Sequence, residues 1–157
     1  KGFALKAFTV IFAASVMIWY LQSFDIHFHM IDNSENSILA LIGKRAAPLF
    51  APLGFGDWRA AAALITGISA KEAIVSTLAV LTPGMALTEI FTPRSAFSFL
   101  VFCLLYTPCV AALTAAGRQA GNWKHALRTA LLQCAVAWIV SFIIYQTGGL
   151  LYELLYC

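Results

Sequence analysis

Two charged residues stand side by side in a largely apolar run, and they are the first candidates for chemistry. Lys71 and Glu72 lie in the middle of the stretch from Trp58 to Leu81. A charge at the centre of a helix in lipid costs about 2.5–3.5 kcal/mol, so each should face protein, water or a substrate path. On one continuous helix, Glu72 would share a face with three hydroxyl groups. These belong to Thr66, Ser69 and Ser76.

Such a face is suited to binding a cation or relaying a proton. The alternative is that Glu72 meets a basic residue of another helix and only fixes packing. Small residues at Ala63, Gly67 and Ala70 favour close helix contact in the same stretch.

A proline followed by a cysteine interrupts a second apolar run, Ser95 to Ala116. Because Pro108 has no N–H, the carbonyl group of Leu104 loses its helical partner, and transporters place ion sites at discontinuous membrane helices. Cys109 adds a thiol, and thiolate with carbonyl or hydroxyl oxygen suits a transition-metal ion better than Na⁺ or Mg²⁺. Alternatively, Pro108 only kinks the helix and Cys109 is a small buried apolar residue. Two candidate lining groups precede the proline, Tyr106 and Thr107.

Two histidines in the polar loop 25–36 are weaker metal candidates. If the loop is extended, His27 and His29 lie on one side, with Asp25 and Asp32 nearby. The alternative is an ordinary solvated loop.

The sequence contains no G-x-x-x-x-G-K-[ST] phosphate-binding loop, no paired zinc-type C-x-x-C, no H-E-x-x-H and no G-x-S-x-G nucleophile motif. Nothing in these residues indicates an enzyme.

The composition requires a membrane setting for these groups. Of 157 residues, 61% are hydrophobic and 11% are charged, and the mean hydropathy is +0.84. A soluble domain carries about 25% charged residues. The net charge of +3 comes from scattered residues, which excludes nucleic acid as a partner. Only helices and closed barrels satisfy their backbones in lipid, and the apolar runs indicate helices.

The predicted fold class is therefore all-α, a polytopic transmembrane bundle with about four to five spans of roughly 20 residues each. One further segment, 37–56, is apolar but interrupted by prolines and glycines, and it either crosses irregularly or re-enters. Gly148 and Gly149 are expected to end the last span. The chain begins with lysine and has no signal peptide, so we expect it to be an internal or C-terminal piece of a longer protein. The four predicted spans are Phe8–Phe24, Trp58–Leu81, Ser95–Ala116 and Thr129–Gln146.

Three stretches together resemble the bacterial ferrous-iron transporter B family (FeoB). They are Ala47–Gly54 leading to Asp57-Trp58-Arg59, then Ala63–Glu72, then Phe99–Ala111. Their order and spacing are similar to the second gate-type segment of that family's membrane domain. The chain from Trp123 onward resembles the family's final span. The similarity covers nearly the whole chain, from about Phe3 to Gly148.

The resemblance implies a division into residues 1–118, the second gate-type segment, and residues 119–157, the final transmembrane helix and a short tail. It implies import of Fe²⁺ across the bacterial cytoplasmic (inner) membrane. GTP and Mg²⁺ would bind an N-terminal domain that, like the first gate segment, lies outside this chain. The gate cysteine of the family corresponds to Cys109 in its Tyr-x-Pro-Cys context and would contact iron. Lys71 and Glu72 match the family's Ala-Lys-Glu stretch.

The sequence-based hypothesis is a transient Fe²⁺ site made by Cys109 and the carbonyl groups freed by Pro108, with Glu72 as a hard ligand or compensating charge. The expected partners are the lipid bilayer, the N-terminal half of the same protein and, in a homo-oligomer, further copies. Three alternatives remain open. They are a gate-type carrier of nucleosides or other polar solutes, a membrane anchor that does not transport, and an intramembrane thiol enzyme.

Overall fold

The computed structural model describes residues 2–27, 29–30, 34–69, 71–106, 113–114, 117, 121 and 123–156. Within these ranges the named elements are all helical, and the β-type pairing seen there is one isolated bridge between Phe24 and Met30. The predicted all-helical class is confirmed. The α-helices are α1 Gly2–Ser23, α2 Ile38–Phe50, α3 Trp58–Gly67, α4 Ala73–Leu81, α5 Leu87–Ile90, α6 Pro93–Leu105 and α7 Trp123–Tyr156.

Side-chain caps set the start of three helices. Ser37 accepts a hydrogen bond from the N–H of Ala40 ahead of α2, at 3.0 Å. Asp57 does the same for Arg59 ahead of α3, at 2.7 Å. Thr92 accepts from the N–H of Ser95, and Pro93 fills the first position of α6. Each cap satisfies an N–H that has no partner inside its helix. The residues next to these three helix starts therefore determine where the helices begin.

The segment 37–56 forms a helix followed by a tight irregular turn. A 3₁₀ turn, Ala51–Leu53, follows α2, and the chain then bends by 101° into α3. Gly54 has φ +88°, and a Cβ there would run into the ring of Tyr145 on α7. Both the backbone conformation and the close approach therefore require glycine.

The structure contradicts the prediction of one helix over Trp58–Leu81. α3 ends at Gly67 and α4 begins at Ala73, so Lys71 and Glu72 lie in the turn between two helices. The hydroxyl of Ser69 donates to Thr66 O, and the N–H groups of Ile68 and Ser69 bond three residues back instead of four. Hydroxyl competition for backbone acceptors and the tightened last turn end the helix here.

Two further boundaries differ from the prediction. α6 ends at Leu105, and Tyr106 is extended (φ −68°, ψ 169°) ahead of the predicted break. The helix α7 continues past Gly148 to Tyr156, so the glycine pair does not end it. A glycine inside a helix costs only about 1 kcal/mol, which a long apolar helix tolerates.

Within the described residues, one helix and one bent pair of helices are candidates for crossing a membrane. Among the described residues, Trp123–Gly148 is long and apolar enough to span a bilayer. The bent pair of Ile38–Leu53 and Trp58–Gly67 passes the same test jointly, as a broken span or a re-entrant loop. α6 is apolar but has only 13 residues.

The core lies where α7 packs across α6 and the α2–α3 turn. Four aromatic rings stack or meet edge-on there, with ring centroids 5.0–5.8 Å apart, and they are those of Phe55, Phe91, Phe99 and Phe102. One face of α7 makes the polar contacts. The indole N–H of Trp138 donates to Leu49 O at 3.1 Å, and the buried Ser98 hydroxyl donates to Ser141 O at 3.1 Å. These contacts hold α6 in place and so position its C-terminal end.

Candidate functional site

The turn between α3 and α4 and the end of α6 meet at Lys71. Its Nζ lies 3.1 Å from Cys103 O, 3.2 Å from Leu104 O and 3.2 Å from Tyr106 O. These three oxygens, hereafter the carbonyl cradle, belong to the last turn of α6 and to the first residue after it. The carbonyl end of a helix carries about half an elementary negative charge, so the ammonium group lies where a cation is stabilised.

Tyr106 joins this helix end to α3. Its side chain is buried, its ring lies 4.9 Å from Nζ of Lys71, and its hydroxyl donates to Leu64 O at 3.4 Å. Gly67 approaches the same hydroxyl so closely that a Cβ there would collide with it and with Ile74. Tyr106 therefore acts here as a buried support of the helix end.

The hydroxyl groups of the predicted stripe do not share one face. Thr66 and Ser69 are buried, whereas Glu72 and Ser76 are exposed. The one-face prediction is wrong because it assumed an unbroken helix through position 70. Instead, the hydroxyl of Thr66 donates to Ala63 O at 2.8 Å and lies 3.0 Å from the Thr77 hydroxyl, which ties α3 to α4. Ser76 donates to Ala73 O of its own helix.

Glu72 is the residue immediately before α4, and its side chain does not cap that helix. Arg59 forms ion pairs with Glu35 and Asp57, and within the described residues neither Lys71 nor Glu72 forms an ion pair. The predicted alternative, a pair between Glu72 and a basic residue of another helix, is not seen within those residues. Glu72 thus presents a carboxylate beside the lysine-bound helix end.

An apolar cleft of about 920 Å³ opens between α4, α5 and α6, with Lys71 at its wall. Cys103 and Leu104 line it from α6, and the Leu104 side chain is 78% exposed. Cys103 is half-buried and packs against the aromatic core. The cleft gives the carbonyl cradle an open side.

Three of the predicted site residues, Thr107, Pro108 and Cys109, lie outside the described residues. Their roles stay predictions. The chain before them is described to Tyr106, and the carbonyl oxygens of Leu104 and Tyr106 accept hydrogen bonds from Lys71.

The two histidines lie on an exposed turn and not on an extended strand. Residues 26–27 form a turn, closed by the N–H of Asp25 donating to His29 O at 3.1 Å. The loop is therefore not extended across both histidines, and their role as weak metal candidates stays a prediction. In the described ranges no three residues of the His, Cys, Asp and Glu types are grouped so as to hold a metal ion; Asp32 lies outside these ranges.

One polar cluster was not anticipated from the sequence. Arg59 bridges Glu35 at 3.3 Å and Asp57 at 3.6 Å, and its guanidinium lies 5.1 Å from the ring of Trp58. Lys44 lies 5.5 Å from the same ring and donates to Glu35 O. The Asp57-Trp58-Arg59 triplet was visible as a motif, but its partners on other elements were not. The cluster fixes the start of α3.

The fold is that of a helical membrane protein in which helices are interrupted and the end of one helix packs against the side of another. The family described as "Gate: Nucleoside recognition" matches residues 4–123, so the chain belongs to the Gate family. No solved structure matches the chain.

The resemblance to FeoB is confirmed by curated relatives. The chain is 39% identical over 96% of its length to a protein named Fe(2+) transporter FeoB from Staphylococcus aureus, of which the alignment covers 23%. It is 36% identical over 96% of its length to the FeoB of Methanocaldococcus jannaschii, covering 24% of that protein. A fusion protein of Fe(2+) transport protein A and FeoB from Porphyromonas gingivalis is 37% identical over 78% of this chain, which matches 17% of the fusion. The chain thus spans about a quarter of the length of the first two of these relatives.

Proposed function

We propose that this chain forms the C-terminal part of the membrane pathway of a ferrous-iron importer. The observation that carries the proposal is the 39% identity, over 96% of the chain, to a protein named as an Fe(2+) transporter. The geometry supports it, because transporters place ion sites at interrupted helices, and here α3 and α6 both end within an apolar protein.

Within this pathway we assign Fe²⁺ contact to Cys109 and Glu72. Cys109 supplies the soft thiolate, and Glu72 supplies a hard carboxylate ligand or compensating charge. The exposed carboxylate of Glu72 beside the break after α3 supports its part of the assignment. The supporting residues are Lys71, Thr66, Ser69, Ser76, Leu104, Tyr106, Thr107 and Pro108. Binding by few ligands is weak enough to let the ion leave as well as enter.

The proposal places the protein in the bacterial inner membrane as a multi-pass chain. GTP and Mg²⁺ act in a domain outside these residues, and this part is not itself an enzyme. Its partners are the lipid bilayer, the remaining N-terminal portion of the protein and further copies in a homo-oligomer.

A second candidate function is transport of a nucleoside or another polar solute, which the description of the matching family favours. In that case Glu72 and Thr66 would bind the solute and Cys109 would be incidental. Competition for uptake distinguishes the metal pathway from the solute pathway. Uptake of Fe²⁺ that Mn²⁺ or Co²⁺ reduces and nucleosides do not supports the metal pathway.

The decisive experiment is uptake of labelled Fe²⁺ under reducing conditions in cells that lack other ferrous importers. The full-length protein is compared with its Cys109→Ser and Glu72→Gln forms at equal membrane abundance. The matched controls are Cys134→Ser on α7 and Glu89→Gln on α5, which remove the same groups away from the break. We expect uptake to fall in the first pair and to stay unchanged in the controls.

Normal uptake in both Cys109→Ser and Glu72→Gln would refute the assignment of the site and leave the pathway to other residues. Absence of Fe²⁺ uptake in the wild type, with the full-length protein intact and GTP present, would refute the iron proposal itself. Uptake of a nucleoside in the same cells would then support the second candidate.

A further inference from the structure

The last turn of α6 gathers three carbonyl oxygens around one point, and that point already holds a positive charge. An ammonium group has three N–H donors. Nζ of Lys71 has three acceptors at 3.1–3.2 Å, one for each proton, in Cys103 O, Leu104 O and Tyr106 O. We propose that the carbonyl cradle is a binding site for one monovalent cation of ammonium size, which Lys71 fills from within the chain.

The geometry goes beyond an ordinary cap. A lysine that caps a helix hydrogen-bonds to carbonyl groups of its last turn. Here Tyr106 has left the helix with an extended backbone, and its carbonyl oxygen faces the same ammonium group. The ring of Tyr106, at 4.9 Å, adds an aromatic face. Carbonyl oxygens that replace a hydration shell, helped by a π-face, form a site for K⁺, ammonium or a small alkylammonium ion.

The attraction of the cradle for cations does not depend on Lys71. The partial negative charge at the end of α6 comes from its aligned peptide groups and remains when the side chain is removed. In the described portion of the chain no carboxylate forms an ion pair with the Lys71 ammonium group. The carbonyl oxygens therefore provide the negative partners of Lys71.

The cleft gives a small ion access to the cradle. Lys71, Cys103 and Leu104 all line this open space of about 920 Å³, so truncation of Lys71 would expose the carbonyl oxygens on that side. In the intact protein the tethered ammonium keeps other monovalent cations out of this helix end. Lys71 is thus a specificity-determining residue that acts by occupying the site.

The test is chemical rescue in the full-length protein that contains this chain, purified in detergent. Thermal unfolding of Lys71→Ala is measured at equal ionic strength in potassium, ammonium, methylammonium, choline and N-methylglucamine chlorides. We expect a lower Tm than that of the wild type in the two bulky salts. Potassium, ammonium or methylammonium should recover most of the loss, and the wild-type Tm should not depend on which salt is present.

Two variants serve as matched controls. Lys71→Met keeps an apolar stem in the space without the charge, so small cations should not rescue it. Lys44→Ala removes a lysine that donates to a single carbonyl, Glu35 O at 3.1 Å, with an aromatic ring at 5.5 Å. One carbonyl does not form a cation site, and this variant should show no dependence on cation size.

Three results would overturn the proposal. They are equal unfolding of Lys71→Ala in small and bulky cations, failure to recover a folded Lys71→Ala in any of the salts, and equal rescue of Lys44→Ala. The assay contains neither iron nor nucleotide. Its outcome is therefore independent of whether the protein transports Fe²⁺.

Discussion

The hydroxyl pair between α3 and α4 leads to a prediction in which the loss of stability depends on which threonine is changed. Thr66 has one hydroxyl proton, and it is donated to Ala63 O at 2.8 Å. Thr77 must then donate in the 3.0 Å contact between the two hydroxyl oxygens. Both side chains are buried, with 0% and 4% of their surface exposed. Thr66→Val therefore removes the acceptor of Thr77, whereas Thr77→Val leaves Thr66 with its own hydrogen bond.

The expected costs follow from this asymmetry. Thr77→Val loses one neutral hydrogen bond, which contributes about 0.5–1.5 kcal/mol to the free energy of unfolding. Thr66→Val leaves a buried hydroxyl without its acceptor, at a cost of about 1–3 kcal/mol. The double variant replaces both hydroxyls with methyl groups of the same shape and should be less destabilised than Thr66→Val alone. The coupling free energy between the two sites should therefore exceed the cost of Thr77→Val, and roughly 1.7 kcal/mol is its upper bound, as for other hydrogen bonds between membrane helices.

The assay is reversible unfolding of the full-length protein in mixed micelles of a mild detergent and sodium dodecyl sulfate. The four proteins of the cycle are compared with Thr129→Val, in which an exposed hydroxyl on α7 bonds only to His125 O of its own helix. We expect this control to unfold like the wild type. Strictly additive costs, or a Thr77→Val protein less stable than Thr66→Val, would refute the hydrogen-bond directions assigned here.

Two further predictions concern packing around the site. Gly67→Ala should destabilise the protein by about 1–3 kcal/mol through overpacking, because its Cβ would collide with the Tyr106 hydroxyl and with Ile74. Gly148→Ala lies inside α7, and its Cβ meets only the side chain of Arg94 at 3.4 Å or more. In the same unfolding assay it should stabilise the protein by up to about 1 kcal/mol, and an equal loss at both positions would contradict the close approach at Gly67. Trp138→Phe should cost about 0.5–1.5 kcal/mol, since Leu49 O loses its indole donor at an exposed position. Phe142, stacked on the same indole at 5.4 Å, provides the comparison, and a Phe142→Leu variant that loses more stability would show that stacking dominates.

The sequence was sufficient to predict the class of protein and the residues that place charge within its apolar segments. A charged fraction of 11% leaves too little polar surface for a soluble domain of this size. Lys71 and Glu72 stood out because charges within an apolar run are costly. Local signals also set boundaries, since Ser37, Asp57 and Thr92 are capping residues and Pro93 fits a first helical turn.

The sequence was a poor guide to where the long apolar runs break. The stretch 58–81 is apolar on both sides of Lys71 and Glu72, so its hydropathy does not mark the end of α3 at Gly67. The break depends on hydroxyl groups that bond to their own backbone and on a glycine pressed against Tyr106 from another helix. At Gly148 and Gly149 the prediction was wrong in the opposite sense, because it expected a helix end where the helix continues. The unfavourable helix propensity of glycine is outweighed there by an otherwise favourable apolar helix.

The partner of Lys71 is the clearest example of what local pattern does not determine. The sequence alone established a membrane helix bundle with a lysine and a glutamate placed where charge is expensive, because composition and burial cost depend on residue type. Only the tertiary structure brings the ammonium group to carbonyl oxygens 32–35 residues away. Every residue has a backbone carbonyl group, so no residue type indicates which of these groups will be available to Lys71. Their availability is decided by where α6 ends and by the packing of α7, which holds this helix end against the α3–α4 turn.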